Sequence, residues 1–223
     1  MTARIYRDRP HAGRELARLL TAYADQPDVL LLALPRGGVP VAFEVAQALH
    51  VPLDVFVVRK LGVPGHEEYA MGAIASGGVR VLNDDVVEGL DIPAGAVDAV
   101  ARSEQRELER RERLYRGSHA PPALGGRRVI LVDDGLATGS TMRAAIKALR
   151  LQQPGRIVVA VPTAAADTCE RLRSEADEVV CASTPEPFRA VGLWYEDFAQ
   201  TSDDEVHALL ARSRREARPT PPR

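Results

Sequence analysis

Two adjacent carboxylates and a group of hydroxyl side chains follow a short apolar stretch of the chain. Residues 129–132 read Val-Ile-Leu-Val, Asp133 and Asp134 come next, and residues 135–141 read Gly-Leu-Ala-Thr-Gly-Ser-Thr. Paired carboxylates can accept hydrogen bonds from the vicinal hydroxyls of a sugar, or attract a metal-bound polyanion. The glycines and hydroxyls suit a phosphate, because backbone N–H groups can approach the anion and the side chains add donors. Together these groups describe a site for a sugar phosphate.

The elements on either side would place these groups at the edge of a sheet. An apolar run such as residues 129–132 predicts a strand that is buried on both faces of a parallel sheet. Periodic apolar residues from 142 to 149 predict a helix directly after the loop. Open α/β sheets bind ligands at the carboxyl ends of their strands. A helix that begins near Ser140 would direct its free N–H groups and the positive end of its dipole toward a phosphate.

A second strand, loop and helix carry a matching set of groups. Residues 29–34 predict a buried strand, the loop Pro35-Arg36-Gly37-Gly38 follows, and a helix is expected from 41 to 49. The Arg36 guanidinium is a cationic fork for phosphate oxygens, and the two glycines expose backbone N–H groups to the same anion. The alternative is an ordinary glycine turn with a surface arginine.

A third predicted strand, residues 53–58, ends at two adjacent cations. Arg59 and Lys60 at a strand terminus are unfavourable unless an anion or solvent offsets their charge. An anion site and a solvated pair both remain open for them.

Residues 129–142 resemble the 5-phosphoribosyl 1-pyrophosphate (PRPP) signature of the type I phosphoribosyltransferases. The resemblance implies an α/β fold, with a parallel sheet flanked by helices on both faces, a small hood and a flexible lid loop. It implies that Asp133 and Asp134 hold the ribose hydroxyls and bind the Mg²⁺ ion that accompanies PRPP, directly or through water. The residues implied to hold the 5′-phosphate are Ala137, Thr138, Gly139, Ser140 and Thr141. The alternative is a helix cap after a buried strand, with two solvated acids.

The same resemblance assigns the pyrophosphate of PRPP to the second and third loops. Arg36, Gly37 and Gly38 would bind it, with Lys60 as the first choice among the adjacent cations and Arg59 as the second. In this family the Arg-Gly-Gly turn often contains a non-proline cis peptide, which would fall at the 35–36 or the 36–37 bond. Catalysis would be positional and electrostatic. The residues implied to be catalytic are Asp133, Asp134, Arg36 and Lys60.

Two further segments correspond to a lid and a hood. Residues 60–82 are expected to be a lid, with a loop at 62–70 and a hairpin around Gly77-Gly78. Residues 183–200 break the alternation of strands and helices and concentrate the aromatic residues. By the resemblance they cover a nucleobase, and the candidate base-binding residues are Phe188, Trp194 and Asp197. The alternative is that each of the three only packs at the sheet edge.

The remaining segments complete one domain over residues 1–200. Strands are predicted at 157–161 and 178–182, and helices at 12–24, 93–116 and 164–172, so strands and helices alternate as in a parallel sheet. Helix 93–116 pairs glutamates with arginines four residues later, which favours a solvated helix over a nucleic-acid surface. A C-terminal helix is expected at 201–217 and a disordered tail at 218–223.

Composition excludes several classes of function. The 223 residues carry a formal net charge of −2 and are 4% aromatic, so neither a basic footprint nor a stacking platform predicts a nucleic-acid partner. Cys169 and Cys181 have neither metal-ligand spacing nor the density of a disulfide scaffold, and we expect both to be reduced thiols. The chain has no apolar run of membrane-spanning length and no signal-peptide core, which predicts a cytoplasmic protein without a membrane partner.

The predicted function is transfer of the 5-phosphoribosyl group from PRPP to a nitrogen nucleophile of nucleobase type, with release of pyrophosphate and with Mg²⁺ as cofactor. The resemblance also implies a homodimer. One alternative is a non-catalytic regulatory protein of the same fold that senses PRPP or a nucleotide. Another is a hydrolase with Asp133 as nucleophile, which ranks lower because Asp-x-Asp spacing is missing. The sequence does not determine the acceptor.

Overall fold

Two sheets organise residues 5–216, the part of the chain that the computed structural model describes. The strands are β1 (Val29–Ala33), β2 (Leu53–Val55), β3 (Val58–Val63), β4 (His66–Ala75), β5 (Val79–Leu82), β6 (Arg128–Val132), β7 (Arg156–Thr163) and β8 (Glu178–Ser183). Five of them form a central sheet in the order β2-β1-β6-β7-β8, in which every pairing is parallel. The other three form an antiparallel sheet in the order β3-β4-β5, which we call the lid sheet.

Helices cover both faces of the central sheet. They are α1 (Arg9–Ala17), α2 (Gly38–Leu49), α3 (Asp84–Gly89), α4 (Ala94–Arg116), α5 (Ser140–Leu151), α6 (Ala166–Leu172) and α7 (Asp203–Glu216). Alternate residues of β6 point to opposite faces. Val129 and Leu131 pack in a cluster with α5 and α6, whereas Ile130 and Val132 pack in a cluster with α1, α2, α4 and α7. The predicted fold class is therefore confirmed.

The register of β1 against β6 brings two functional loops together. These strands pair from Val29 with Arg128 to Ala33 with Val132. One residue later, the Leu34 amide still donates to the Val132 carbonyl over 2.9 Å. The loops that follow β1 and β6 consequently begin side by side at the same edge of the sheet.

The lid segment differs from its prediction. Residues 62–70 were expected to be a loop, but β3 and β4 pair through most of them, with a tight turn at Gly65. The predicted strand at 53–58 is divided between β2 in the central sheet and the start of β3. β4 pairs with β3 along its length and with β5 only over residues 72–75, and the pairing with β3 outweighs the local turn signals at 62–70. The hairpin around Gly77-Gly78 is present.

Two other local expectations are wrong. The first helix begins at Arg9 and ends at Ala17, not at 12–24, because the Asp8 side chain accepts a hydrogen bond from the His11 amide and caps it. Cys169 of α6 and Cys181 of β8 form a disulfide instead of remaining free thiols. They come together because α6 leads into β8 and packs against it.

The C-terminal helix ends at Glu216 within the described part of the chain, and the tail predicted at 218–223 lies outside it. Across residues 5–216, none of the helices combines the length and the apolar character needed to cross a bilayer.

Candidate active site

The loops after β1 and β6 are in direct contact, and only glycine allows it. A Cβ on Gly37 would overlap the Asp134 carboxylate, and a Cβ on Gly38 would lie 2.8 Å from the Val132 carbonyl oxygen and 3.0 Å from Asp133 Cα. We call Gly37, Gly38, Asp133 and Asp134 the acid corner. The Pro35–Arg36 peptide is cis, at one of the two bonds expected. The structure thus brings the Arg-Gly-Gly loop and the paired acids together.

A residue far away in sequence holds Asp134. Arg9 Nε donates to Asp134 Oδ2 over 2.8 Å, and the two side chains are only 10% and 14% exposed. The same guanidinium lies 3.9 Å from the centre of the Phe198 ring and donates to the Ala199 carbonyl. Sequence analysis missed Arg9, because it lies 125 residues from its partner and belongs to no local motif.

The two acids therefore have different surroundings. Burial raises the pKa of Asp133, and the neighbouring charge of Asp134 raises it further. Burial also raises the pKa of Asp134, but the hydrogen bond and charge of Arg9 oppose that rise. Asp133 Oδ1 accepts a hydrogen bond from the Asp134 amide over 2.9 Å. Each carboxylate therefore has one oxygen engaged by the protein, Asp133 by a backbone amide and Asp134 by the Arg9 cation.

The loop after the acids presents exposed donors. Ala137, Thr138, Ser140 and Thr141 are exposed, and α5 begins at Ser140 without a side-chain cap. The first amides of α5 are therefore available to an anion. Gly139 has a φ of +70°, which favours glycine and turns the chain into the helix.

A neighbouring helix fixes the position of this phosphate loop (residues 137–141). Thr168 Oγ1 of α6 donates to the Ala137 carbonyl over 2.7 Å. A Cβ on Gly139 would approach Thr168 Cγ2 to 2.7 Å, so the loop and α6 are closely packed. Sequence analysis did not identify Thr168, which lies in a helix with no signature of its own.

The lid sheet and α5 enclose a cavity of about 650 Å³, the lid cavity. Ser140 and Thr141 of the phosphate loop line it together with Lys60 of β3. Arg143 and Lys147, one and two turns along α5, add positive charge that sequence analysis did not foresee. Lys60 Nζ lies 3.2 Å from the Glu68 carbonyl oxygen and 3.4 Å from its carboxylate. The first-choice cation and the phosphate loop therefore share one cavity.

Arg59 points the other way. Adjacent residues of a strand face opposite sides of the sheet, and the Arg59 guanidinium pairs with Glu104 of α4 at 2.6 and 2.7 Å. The second-choice cation for pyrophosphate is thus separated from the lid cavity and already has a carboxylate partner. The sequence pair Arg59-Lys60 does not form a single cationic site.

The Arg36 side chain lies near the start of α7. Its Nη1 atom is 4.0 Å from Asp203 Oδ1, which accepts a 2.7 Å hydrogen bond from the Tyr115 hydroxyl of α4. Burial and the Asp203 hydrogen bond raise the pKa of Tyr115 to about 12, so the phenol keeps its proton as donor. Asp203 falls within the helix predicted at 201–217, and its position beside Arg36 depends on the tertiary structure.

The hood segment, residues 183–200, contacts the loop after β6. Its three candidate base-binding residues lie in different surroundings. Phe188 and Trp194 stack on each other with ring centres 6.1 Å apart. Among residues 5–216 the structure gives the buried Trp194 Nε1 no hydrogen-bond partner. Asp197 is exposed and accepts a hydrogen bond from the Ala199 amide. Tyr195, whose hydroxyl donates to the Asp134 carbonyl over 2.5 Å, is the hood residue that directly contacts the acid corner.

Comparison with known proteins matches this arrangement. The family model described as "Phosphoribosyl transferase domain" matches residues 65–197, more than half of the chain. The chain belongs to the phosphoribosyltransferase family. The crystal structure of TT1426 from Thermus thermophilus is similar over 93% of this chain and 98% of that chain, with 42% identity and a TM-score of 0.82.

Two curated relatives show how far the similarity extends. The chain is 52% identical over 214 residues to the "Putative phosphoribosyl transferase Rv0571c" of Mycobacterium tuberculosis, covering 96% of this chain and 48% of the relative. It is 32% identical over 136 residues to the "Bifunctional protein PyrR" of Deinococcus deserti, covering 58% of this chain and 73% of that protein. The chain thus spans about half the length of its Mycobacterium tuberculosis relative.

Proposed function

We propose that this protein transfers the 5-phosphoribosyl group of PRPP to a nitrogen nucleophile of nucleobase type and releases pyrophosphate. The observation that carries the proposal is the acid corner, where Gly37 and Gly38 lie against Asp133 and Asp134. A pyrophosphate loop in contact with diol-binding acids fits a single donor molecule that has both groups. Fold and family membership support the same reaction.

Each part of the donor has a counterpart in the site. The 5′-phosphate would lie on the phosphate loop, where the N–H groups that begin α5 and the exposed hydroxyls can donate to it. The ribose hydroxyls would donate to Asp133. The pyrophosphate would accept hydrogen bonds from Arg36 and from the Gly37 amide, and Lys60 would approach it from the lid cavity.

The residues act on charge that develops during the reaction. As the bond from C1′ to pyrophosphate breaks, positive charge grows on the ribose and negative charge grows on the leaving group. Asp133 would stabilise the first, and Arg36 and Lys60 would stabilise the second. Such preorganised electrostatic stabilisation needs no covalent nucleophile.

A magnesium ion fits the site only as a companion of the donor. No cluster of three or more potential metal ligands occurs within residues 5–216, and Arg9 already occupies Asp134 Oδ2. Mg²⁺ commonly keeps several waters and uses one or two carboxylates together with substrate phosphates. Asp133 would hold the ion directly or through water, with Asp134 behind it. The ion would neutralise part of the charge on the pyrophosphate.

The acceptor would lie beneath the hood segment. Phe188 and Trp194 offer aromatic surface, and the unpartnered Trp194 Nε1 supplies a donor for a ring nitrogen or carbonyl oxygen of a base. Asp197 would have to turn from its contact with the Ala199 amide to reach a base. A homodimer is part of the proposal on the family resemblance alone, and light scattering on the purified protein tests it.

The decisive experiment measures pyrophosphate release from PRPP and Mg²⁺ over a panel of purine and pyrimidine bases. We expect turnover with at least one base, and its loss in Asp133→Asn. Glu67→Gln, at an exposed acid near the start of β4, is the matched control and should keep activity.

A regulatory protein that senses PRPP or a nucleotide is the second candidate. The contact of Arg9 with Asp134 favours it, because a cation of the protein already neutralises one of the two acids. Saturable binding of PRPP without turnover on any base would support the sensor and contradict the transferase. Failure to bind PRPP would contradict the transferase and the PRPP sensor, and failure to bind nucleotides as well would contradict the second candidate altogether.

A further inference from the structure

A second cavity lies between the C-terminal end of α4 and α7 and has a strongly basic lining. Its volume is about 400 Å³, and it shares no residue with the lid cavity. We call it the basic pocket, and its lining residues are Arg116, Gly117, Ser118, His119, His207, Ala211, Arg214 and Arg215. The lining contains three arginines, two histidines and no carboxylate, so its chemistry suits an anion.

Only one of the three arginines has its charge balanced within the described part of the protein. Arg116 is buried and pairs with Asp54 at 3.0 Å and Glu112 at 2.7 Å, and it also donates to the Val55 carbonyl. Arg214 and Arg215 form no ion pair with any residue in the described range 5–216, although other arginines of α7 do: Arg212, for example, pairs with Glu216. The basic pocket therefore keeps positive charge that these residues do not neutralise.

Arg214 also has an unused donor. Its Nη1 atom donates to the Arg116 carbonyl over 3.2 Å, while its Nη2 atom is buried with no hydrogen-bond partner among the described residues. A buried guanidinium N–H without an acceptor is unfavourable. Burial lowers the pKa of Arg214 and the Arg116 charge adds to that, while Asp54 opposes both. A small rotation of the Arg214 side chain would bring this donor into the pocket, where an anion would supply the missing acceptor.

We propose that the basic pocket binds the phosphate group of a phosphorylated small molecule, at a site separate from that for PRPP. The planar fork of Arg214 matches two phosphate oxygens, and Arg215, His119 and His207 can supply further donors around them. A volume of about 400 Å³ lies within the range of small-molecule pockets. The pocket therefore has room for the remainder of a metabolite in addition to the phosphate.

A chain of contacts also connects the lining of the basic pocket with Arg36. Tyr115 precedes Arg116 on α4 and donates to Asp203, which begins α7 one turn before His207 and lies 4.0 Å from Arg36. A ligand that draws α4 and α7 together at the basic pocket would shift the elements that position Arg36. Binding at the pocket should then change the affinity for PRPP. This second half of the inference rests on the proposed function, whereas the binding itself does not.

The test is calorimetric titration of the full chain with inorganic pyrophosphate at low ionic strength. We expect two saturable sites in the wild type. In the double variant Arg36→Gln/Lys60→Gln, which removes the proposed donor site, one site should remain. Adding Arg214→Lys or Arg215→Gln to that background should weaken the remaining site by at least about tenfold. Arg212→Gln, on the same helix but outside the pocket, should leave it unchanged.

The outcomes separate this inference from the proposed function. Arg215 is exposed, so Arg215→Gln should fold even if changes at Arg214 do not. If the Arg36→Gln/Lys60→Gln variant binds no pyrophosphate, or if Arg214→Lys and Arg215→Gln leave the remaining site intact, the basic pocket is not an anion site. If the wild type has a single site that only the pocket variants weaken, the pocket inference stands and the assignment of Arg36 and Lys60 fails.

Discussion

The acid corner and the lid cavity face the same proposed donor but balance their charges in opposite ways. At the acid corner the protein supplies its own counterion, because the mostly buried Arg9 holds Asp134 and the glycines close the space around it. At the lid cavity Lys60 has a single ion-pair partner among residues 5–216, Glu68, whose side chain is fully exposed and contributes little as an ion pair. The acid corner is therefore positioned before a ligand binds, whereas the lid cavity retains positive charge with which a ligand can pair. Substitutions at the corner should lower stability, and substitutions in the cavity should lower affinity.

The largest effect is expected at Arg9. Arg9→Gln leaves Asp134 buried without its cation, which should lower the free energy of unfolding by about 3–5 kcal/mol. Chemical denaturation measures this loss. Arg7→Gln is the matched control, since Arg7 is 66% exposed and its loss should change stability by less than about 0.5 kcal/mol. Equal effects of the two substitutions would show that the corner is not held in this way. Adding Asp134→Asn should recover part of the loss, because the unpaired charge is then removed.

A smaller loss is expected at Gly37. A Cβ there meets the Asp134 carboxylate, so Gly37→Ala must displace a packed loop and should cost about 1–3 kcal/mol of stability. PRPP binding should weaken at the same time, because the loop moves away from the acids. Gly95→Ala in α4 is the control. Its Cβ meets nothing within 4 Å, and alanine there should stabilise the helix by up to about 1 kcal/mol. A Gly37→Ala protein as stable as the wild type would contradict the close packing.

The lid cavity should respond in affinity and not in stability. Lys60→Gln should raise the KM for PRPP about tenfold, equivalent to about 1.4 kcal/mol, with little change in the melting temperature. Arg59→Gln is the natural comparison, because Arg59 is the next residue in β3 but pairs with Glu104 on the other side. It should leave the KM for PRPP almost unchanged. Initial-rate kinetics measure the KM for PRPP of both variants. A larger rise in KM for Arg59→Gln than for Lys60→Gln would reverse the assignment.

The smallest effect should depend on pH. The pKa of Asp133 is raised in the folded protein above its ordinary value of 3.8, so its contribution to stability is full below that pH and is lost as the pH rises through the folded pKa. Asp133→Asn removes the buried charge and should raise the melting temperature near pH 7 by about 2–4 °C, the response of a domain of this size to about 1 kcal/mol. Near pH 3 the gain should vanish, and calorimetry at both values checks it. A gain independent of pH, or one equalled by the exposed Glu67→Gln, would contradict this cause.

Much of the sheet could be predicted from the sequence, because burial on both faces requires continuous apolar runs. Residues 29–34 and 129–132 stand out for that reason, and the predicted strands lie within about two residues of β1 and β6. The lid could not be predicted in the same way. Its glycines and proline signal turns locally, but the first half of β4 pairs with β3 once the chain has folded.

The candidate active site shows the same contrast between features that local sequence predicts and contacts that it does not. The chemical types of Asp133, Asp134, Arg36 and the phosphate loop are visible in the sequence, because their spacing follows from a strand, a turn and a helix start. Their partners are not visible. The contact of Asp203 with Arg36 joins residues that lie far apart in the chain, and neither has a local pattern that would suggest the other.

By itself, the sequence determined which groups follow each buried strand, because apolar burial and turn chemistry act over a few residues. Only the tertiary structure decided which of these groups have partners. In the folded protein Asp134 pairs with Arg9, Arg59 pairs with Glu104, and Lys60 lines the same cavity as the phosphate loop. The physical reason is that a side chain's direction and its counterion depend on packing between elements that lie far apart in the chain.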